Sequence, residues 1–130
     1  MRDYVTDTHT LFWYLSRYPR LGENASLAFE EAEAGEATIH IPAIVVAELF
    51  YLNVKLGNQI DFAAKFQILQ ESSQFVLTPF EAEDVLDFER DFAVTEMHDR
   101  IVVGLARRLN VPLLTVDRNI TASGLVEIVW

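Results

Sequence analysis

Apolar and polar positions along the chain change their spacing in a regular way, and each change predicts an element. Tyr4 to Thr6 is a short extended run closed by Asp7, and Thr8 to Tyr18 reads as a helix dense in Leu11, Phe12, Trp13, Tyr14 and Leu15. Pro19 and Gly22 punctuate a turn; a second helix runs from about Asn24 to Ala34, with Gly35 as its left-handed stop. Ala37 to Ile41 alternates as a strand. Pro42 opens a helix that ends near Leu56, apolar nearly all round and therefore read as buried or as meeting another subunit. Gln59 to Glu71 predicts a further helix capped by Asn58, and Gln74 to Leu77 a third strand. Thr78-Pro79-Phe80-Glu81 has the form of a capping box with proline at the first helical position, which predicts a helix to about Phe92. Apolar residues at 97, 101, 102, 105, 106 and 109 mark a helix with one buried face. After the link at Asn110 to Pro112, the run from Val111 to Val116 has no polar side chain except Thr115, as in a parallel strand covered on both faces. Leu125 to Val129 supplies a last short strand.

Strands alternating with helices predict an α/β domain over residues 1–130: three layers, α/β/α, around a mostly parallel sheet of about five short strands with right-handed crossovers. A chain of 130 residues is large enough for a real core and too short for two ordinary domains. With 51% hydrophobic and 23% charged residues it is globular rather than disordered. The lack of cysteine excludes disulfides, thiolate metal sites and cysteine nucleophiles, and fits a reducing cytosol. No secretory signal is visible at the start, and the longest apolar tract, Ile41 to Leu52, is too short to span a bilayer and is broken by Glu48. A net charge of −10 argues against indiscriminate sticking to nucleic acid, so any such role must rest on a local site.

Four carboxylates are candidates for that site. Asp7 and Asp117 end strands at the carboxyl edge, where open α/β sheets place their ligands. Taken alone, Asp7 reads as a helix N-cap. Asp99 lies in the first turn of a helix that runs antiparallel to the strand of Asp117, so it starts at the same end of the sheet. Glu48 stands within the apolar third helix; burying it unpaired is costly, so it needs a cation partner or neutrality, and Lys55 is read as facing elsewhere. Four acids on one edge repel unless a cation neutralises them, and magnesium or manganese suits carboxylate and water oxygens. Such a metal activates water for phosphodiester hydrolysis. No glycine-rich phosphate loop, serine–histidine pair or HExxH pattern competes, and His9, His40 and His98 are assigned structural or surface roles, His98 least firmly because it adjoins Asp99. Glu30, Glu31 and Glu33, and the six acids between Glu81 and Asp91, read as solvated faces. Phosphate contacts come mainly from lysine and arginine, and the chain has only Lys55 and Lys65. Arg100 and Arg118 are the candidate contacts to a nucleic-acid phosphate, while Arg107 and Arg108 serve equally well as surface charges.

Four segments, in order along the whole chain, carry a resemblance: Val5-Thr6-Asp7-Thr8-His9-Thr10-Leu11-Phe12-Trp13, Val46-Ala47-Glu48-Leu49, His98-Asp99-Arg100-Ile101 and Leu113-Leu114-Thr115-Val116-Asp117-Arg118-Asn119-Ile120. The pattern resembles the PIN-domain family and its compact VapC-type toxins of type II toxin–antitoxin systems. The resemblance implies that Asp7, Glu48, Asp99 and Asp117 form an acidic Mg2+ or Mn2+ cluster supported by the hydroxyl of Thr115. It also implies a cytoplasmic metal-dependent endoribonuclease, with RNA as substrate, a cognate antitoxin as partner and pairing as a homodimer. Apolar surface around Trp13, Tyr14, Phe50 and Tyr51, in excess of what one small core uses, points to an interface as well. Two alternatives stand beside this reading. One is a catalytically silent PIN fold that only binds a partner. The other is a phosphoacceptor receiver domain, which needs a lysine after a late strand; none follows Lys65.

Overall fold

Strand β1 (Arg2–Thr6) leads into helix α1 (Thr8–Leu15) and α2 (Glu23–Glu33); β2 (Ala37–Pro42) leads into α3 (Ala43–Lys55) and α4 (Phe62–Glu71). Then come β3 (Phe75–Thr78), a 3₁₀ segment (Ala82–Phe88), α5 (Met97–Leu109), β4 (Leu113–Leu114), α6 (Arg118–Ser123) and β5 (Ile128–Val129). This is a computed structural model, which describes residues 2–130. All strand pairings are parallel, in the order β3-β2-β1-β4-β5. A receiver domain has the order 2-1-3-4-5, so that alternative is set aside.

Sequence dictates which strand is central. Tyr4, Val5 and Thr6 are all buried, as are Ile39 and Ile41 of β2 and Leu113 and Leu114 of β4. β1 pairs with both neighbours, Val5 opposite His40 on one side and Leu113 on the other. The core gathers these strands with Leu11 and Phe12 of α1, Phe29 of α2, Val45 and Leu49 of α3, and Val102, Val103 and Ala106 of α5. Among the described residues no helix is long and apolar enough to cross a membrane.

Several elements differ from expectation, each for a local reason. α1 stops at Leu15 rather than Tyr18, because Arg17 turns left-handed (φ 57°) and the amides of Arg17 and Tyr18 return to the carbonyls of Tyr14 and Trp13. That is a Schellman ending with arginine in the place usually held by glycine. α4 is capped by Asp61, whose carboxylate accepts the Ala64 N–H, not by Asn58. The helix expected from Pro79 to Phe92 is only the 3₁₀ segment, and its capping box is formed by Glu81 and Asp84 instead of Thr78 and Glu81. None of its residues is buried, so no apolar face holds a longer helix in place. A 3₁₀ turn stacks residues three apart, which puts Asp84 and Asp87 together against Arg108. Asp91 receives Arg107 in bidentate fashion at 2.9 and 3.1 Å and is fully buried. Half of that acidic stretch is therefore clamped onto α5 rather than solvated, and Arg107 and Arg108 are its clamps. β4 is shorter than the apolar run suggests, and the short helix α6 follows Asp117, where the sequence predicts no element.

The apolar third helix divides into stripes. Val45, Leu49 and Asn53 are buried, while Phe50, Tyr51 and Val54 stand exposed. Trp13 and Tyr14 are not spare surface: both pack against the core, Trp13 beside Tyr18 and Trp130, and Tyr14 stacked on Phe29 at 4.0 Å between ring centroids.

Candidate active site

The strand order reverses between β1 and β4, and in open α/β sheets the crevice at that reversal is where ligands bind. Asp7 follows β1 and Asp117 follows shortly after β4, so the two flank it. The Asp7 N–H bonds to the Leu114 carbonyl at 3.2 Å, carrying the parallel ladder one residue past Thr6 and drawing Asp7 toward β4.

Both aspartates are N-caps as well. Asp7 Oδ1 accepts the Thr10 N–H at 3.0 Å, and Asp117 Oδ1 accepts the Ile120 N–H at 2.9 Å. The cap fixes each carboxylate and leaves its second oxygen for other work. In Asp7 that oxygen accepts the Thr115 hydroxyl at 2.5 Å, while the same hydroxyl accepts the Asp117 N–H at 3.0 Å. Thr115 is wholly buried and ties the two strand ends together.

Asp99 lies in the first turn of α5, which is capped by Glu96 through the Asp99 N–H at 2.9 Å. Glu48 projects from α3 and is half-buried, not sealed in the core. Its Oε1 accepts the Thr8 hydroxyl at 2.8 Å and its Oε2 lies 3.1 Å from His98 Nδ1. The partner of Glu48 is thus a threonine and a histidine rather than an arginine.

Asp7, Glu48, Asp99 and Asp117 line one cleft of about 630 Å³, together with Thr8, His9, His98 and residues of α3. The sequence-derived quartet is brought together. Burial, then Asp117, Glu96, Glu48 and Asp7, push the carboxyl of Asp99 up to about 6. Burial also pushes Asp7 up, against the opposing hydrogen bonds from Thr10 and Thr115. Charge repulsion of this kind is what a bound cation relieves. Among the described residues no three histidine, aspartate or glutamate side chains stand close enough to clasp an ion directly. The donors that line the cleft are carboxylates, the oxygen type that magnesium and manganese take alongside water.

Neither Arg100 nor Arg118 lines the cleft. Arg100 spends its guanidinium on the carbonyls of Val94, Phe88 and Phe92, holding the segment before α5, whereas Arg118 is exposed. Reading the sequence alone missed Thr8, Glu96, Tyr51 and Lys55. Lys55 does share the face of Glu48: seven residues is close to two helical turns, and both side chains line the cleft. That spacing was the signal available for it.

The PIN domain profile matches residues 4–123. The chain belongs to the PIN domain family. No protein of curated function matches its sequence. Among solved structures, a chain of VapBC2 from Rickettsia felis, bound to a DNA fragment from their promoter, aligns at 19% identity and a TM-score of 0.68, covering 97% of this chain and 96% of that one. FitAcB from Neisseria gonorrhoeae aligns at 18% identity and 0.66, covering 96% and 95%. PAE2754 from Pyrobaculum aerophilum aligns at 18% and 0.61, covering 98% and 83%. At such identities the likeness is one of fold.

Proposed function

We propose that this PIN domain is a magnesium- or manganese-dependent endoribonuclease acting as the cytoplasmic toxin of a toxin–antitoxin pair. One observation carries the reading: Asp7, Glu48, Asp99 and Asp117 line a single cleft at the sheet reversal, close enough that three of them raise the carboxyl of the fourth. Membership of the PIN family supports a nuclease, and the likeness to chains of VapBC2 and FitAcB supports a partner antitoxin.

In this reading Asp7, Asp99, Asp117 and Glu48 would hold the metal, which when bound supplies an activated water and charge stabilisation at the phosphorus. The chain's own residues set the stage. Thr115 and the helix caps fix the rotamers of Asp7 and Asp117. Thr8 and His98 orient Glu48 from two sides. The antitoxin blocks the cleft, and the exposed Phe50 and Val54 stripe of α3 serves a homodimer or the antitoxin.

Purified protein incubated with single-stranded RNA in magnesium, in manganese and in chelator tests the reading. Metal-dependent internal cleavage supports it. Binding of a partner without cleavage in any metal would favour the catalytically silent alternative.

A further inference from the structure

The acids occupy one end of the cleft; its other end is built differently. Along α3, Tyr51 and Lys55 follow Glu48 on the same face, three and seven residues on, and both line the cleft with Leu52. At about 1.5 Å per residue they lie about 4.5 and 10.5 Å beyond Glu48 along the helix axis. Tyr51 is 73% exposed, an unusual position for a large aromatic ring that already borders a cavity. Its edge-on contact with Phe50, at 5.4 Å and 88°, steadies the ring from one side. Lys55 is the one lysine or arginine among the described residues that line this cleft. Arg100 is spent on backbone carbonyls, and Arg107 and Arg108, in the last turn of α5, on Asp87, Asp91 and Asp84; Arg118, exposed beside Asp117, lies outside the cleft lining. In a chain of net charge −10, a lone lysine beside an exposed tyrosine is the local exception.

We infer that Tyr51 and Lys55 form a nucleotide subsite for single-stranded RNA, with a base stacked on the Tyr51 ring and the adjoining phosphate paired with Lys55. An aromatic platform beside a cation is how sequence-tolerant single-strand sites are made, since every base has a π-face and every nucleotide a phosphate. Ile44, Leu52 and Val102 give the same cleft an apolar wall. With the scissile phosphate at the acids, the strand runs along α3 across Tyr51 toward Lys55. The subsite rests on the nuclease reading and adds to it the side from which the substrate enters. It also gives an acidic protein a way to retain RNA without a basic surface.

The test uses Tyr51→Ala, Tyr51→Phe and Lys55→Gln in the full-length protein, with two readouts. The first is fluorescence anisotropy of a labelled single-stranded oligoribonucleotide, measured on an Asp7→Asn background so that no cleavage occurs. The second is cleavage by the same substitutions on the parent background. Tyr51→Ala should weaken binding by about tenfold, within the usual worth of one base stack, and raise KM with little change in kcat. Tyr51→Phe should keep parent affinity, since it keeps the ring. Lys55→Gln should weaken binding and lower the slope of log K against log salt by about 0.7, the value of one phosphate contact on a single strand. Parent-like KM and affinity for both Tyr51→Ala and Lys55→Gln, in a parent that does cleave RNA, would overturn the subsite and leave the nuclease reading intact. A parent that neither binds nor cleaves RNA overturns both.

Discussion

The Thr115 hydroxyl donates to the Asp7 carboxylate across 108 positions of sequence, and in the same geometry it accepts the backbone N–H of Asp117. One buried hydroxyl therefore ties the Asp7 carboxylate to the backbone at Asp117, where the two strand ends flank the sheet reversal. Thr115→Val keeps the shape and removes the hydroxyl, leaving the Asp117 N–H and one Asp7 oxygen without a partner. The expected cost is about 1–3 kcal/mol of stability, the usual penalty for buried polar groups left unpaired. Loss of a group that orients ligands costs about 10–100-fold in metal affinity or activity. Thr115→Ser should recover most of both. Urea unfolding and RNA cleavage on the three proteins check this.

Crowding of acids predicts a pH dependence for the metal-free protein. The carboxyl of Asp99 rises from 3.8 to about 6 on folding. Below 3.8 it is protonated in both states; between 3.8 and about 6 the unfolded chain releases the proton first, so stability falls as pH rises through that window. Because Asp99 is half-exposed, solvent screening reduces the penalty to about 1 kcal/mol. Asp99→Asn should flatten this part of the profile and raise the Tm at pH 7 but not at pH 3.5. Magnesium or manganese should raise the parent Tm by binding the folded state, and the variant should gain less. Thermal melts across pH, with and without metal, read both effects.

How much of this was legible in the sequence depends on the residue. Asp7 and Asp117 could be placed because an apolar strand that ends in a carboxylate marks its own carboxyl edge, and Asp99 because α5 has a clear helical period. Glu48 does line the cleft, but not as an unpaired carboxylate within a buried helix. Its helix looked apolar all round, yet only the stripe through Val45 and Leu49 is buried, so Glu48 sits at a cleft wall with Thr8 and His98. The segment before α5 could not be read. Its fold depends on three arginines that come later in the chain, and pairings 6 to 24 positions apart, those of Arg100 to backbone carbonyls and those of Arg107 and Arg108 to carboxylates, leave no local period. For the same reason Arg100 looked like a free cation beside the site, when its guanidinium is already engaged.

Those pairings make their own prediction. Asp91 is fully buried and Arg107 mostly so. Asp91→Ala strands the guanidinium with only Asp87, and should cost roughly 2–3 kcal/mol, below the range for a wholly buried pair because Arg107 keeps some solvent and a second acid. The 82–95 segment should loosen first, which hydrogen exchange at the amides of Asp91 and Val94 would report. Uniform loss of protection across the sheet, with this segment unchanged relative to the rest, would contradict the clamp.

Glu48→Gln separates the two views of that residue. A sealed, unpaired carboxylate would make the substitution stabilising. With Glu48 half-buried and accepting from Thr8, the glutamine should keep that bond through its carbonyl and leave the Tm of the metal-free protein within a degree or two, about 0.5 kcal/mol or less. Cleavage should nevertheless be lost. Differential scanning calorimetry beside a cleavage assay distinguishes these outcomes.

The most direct measurement is cleavage of single-stranded RNA by parent, Asp7→Asn and Asp117→Asn proteins in magnesium, manganese and chelator, with circular dichroism on each. Asparagine caps a helix about as well as aspartate, so caps alone predict folded and active variants. The account predicts folded variants without cleavage, and a parent whose cleavage stops in chelator and returns with metal. Cleavage that survives chelation, or folded Asp7→Asn protein with parental activity, would contradict it.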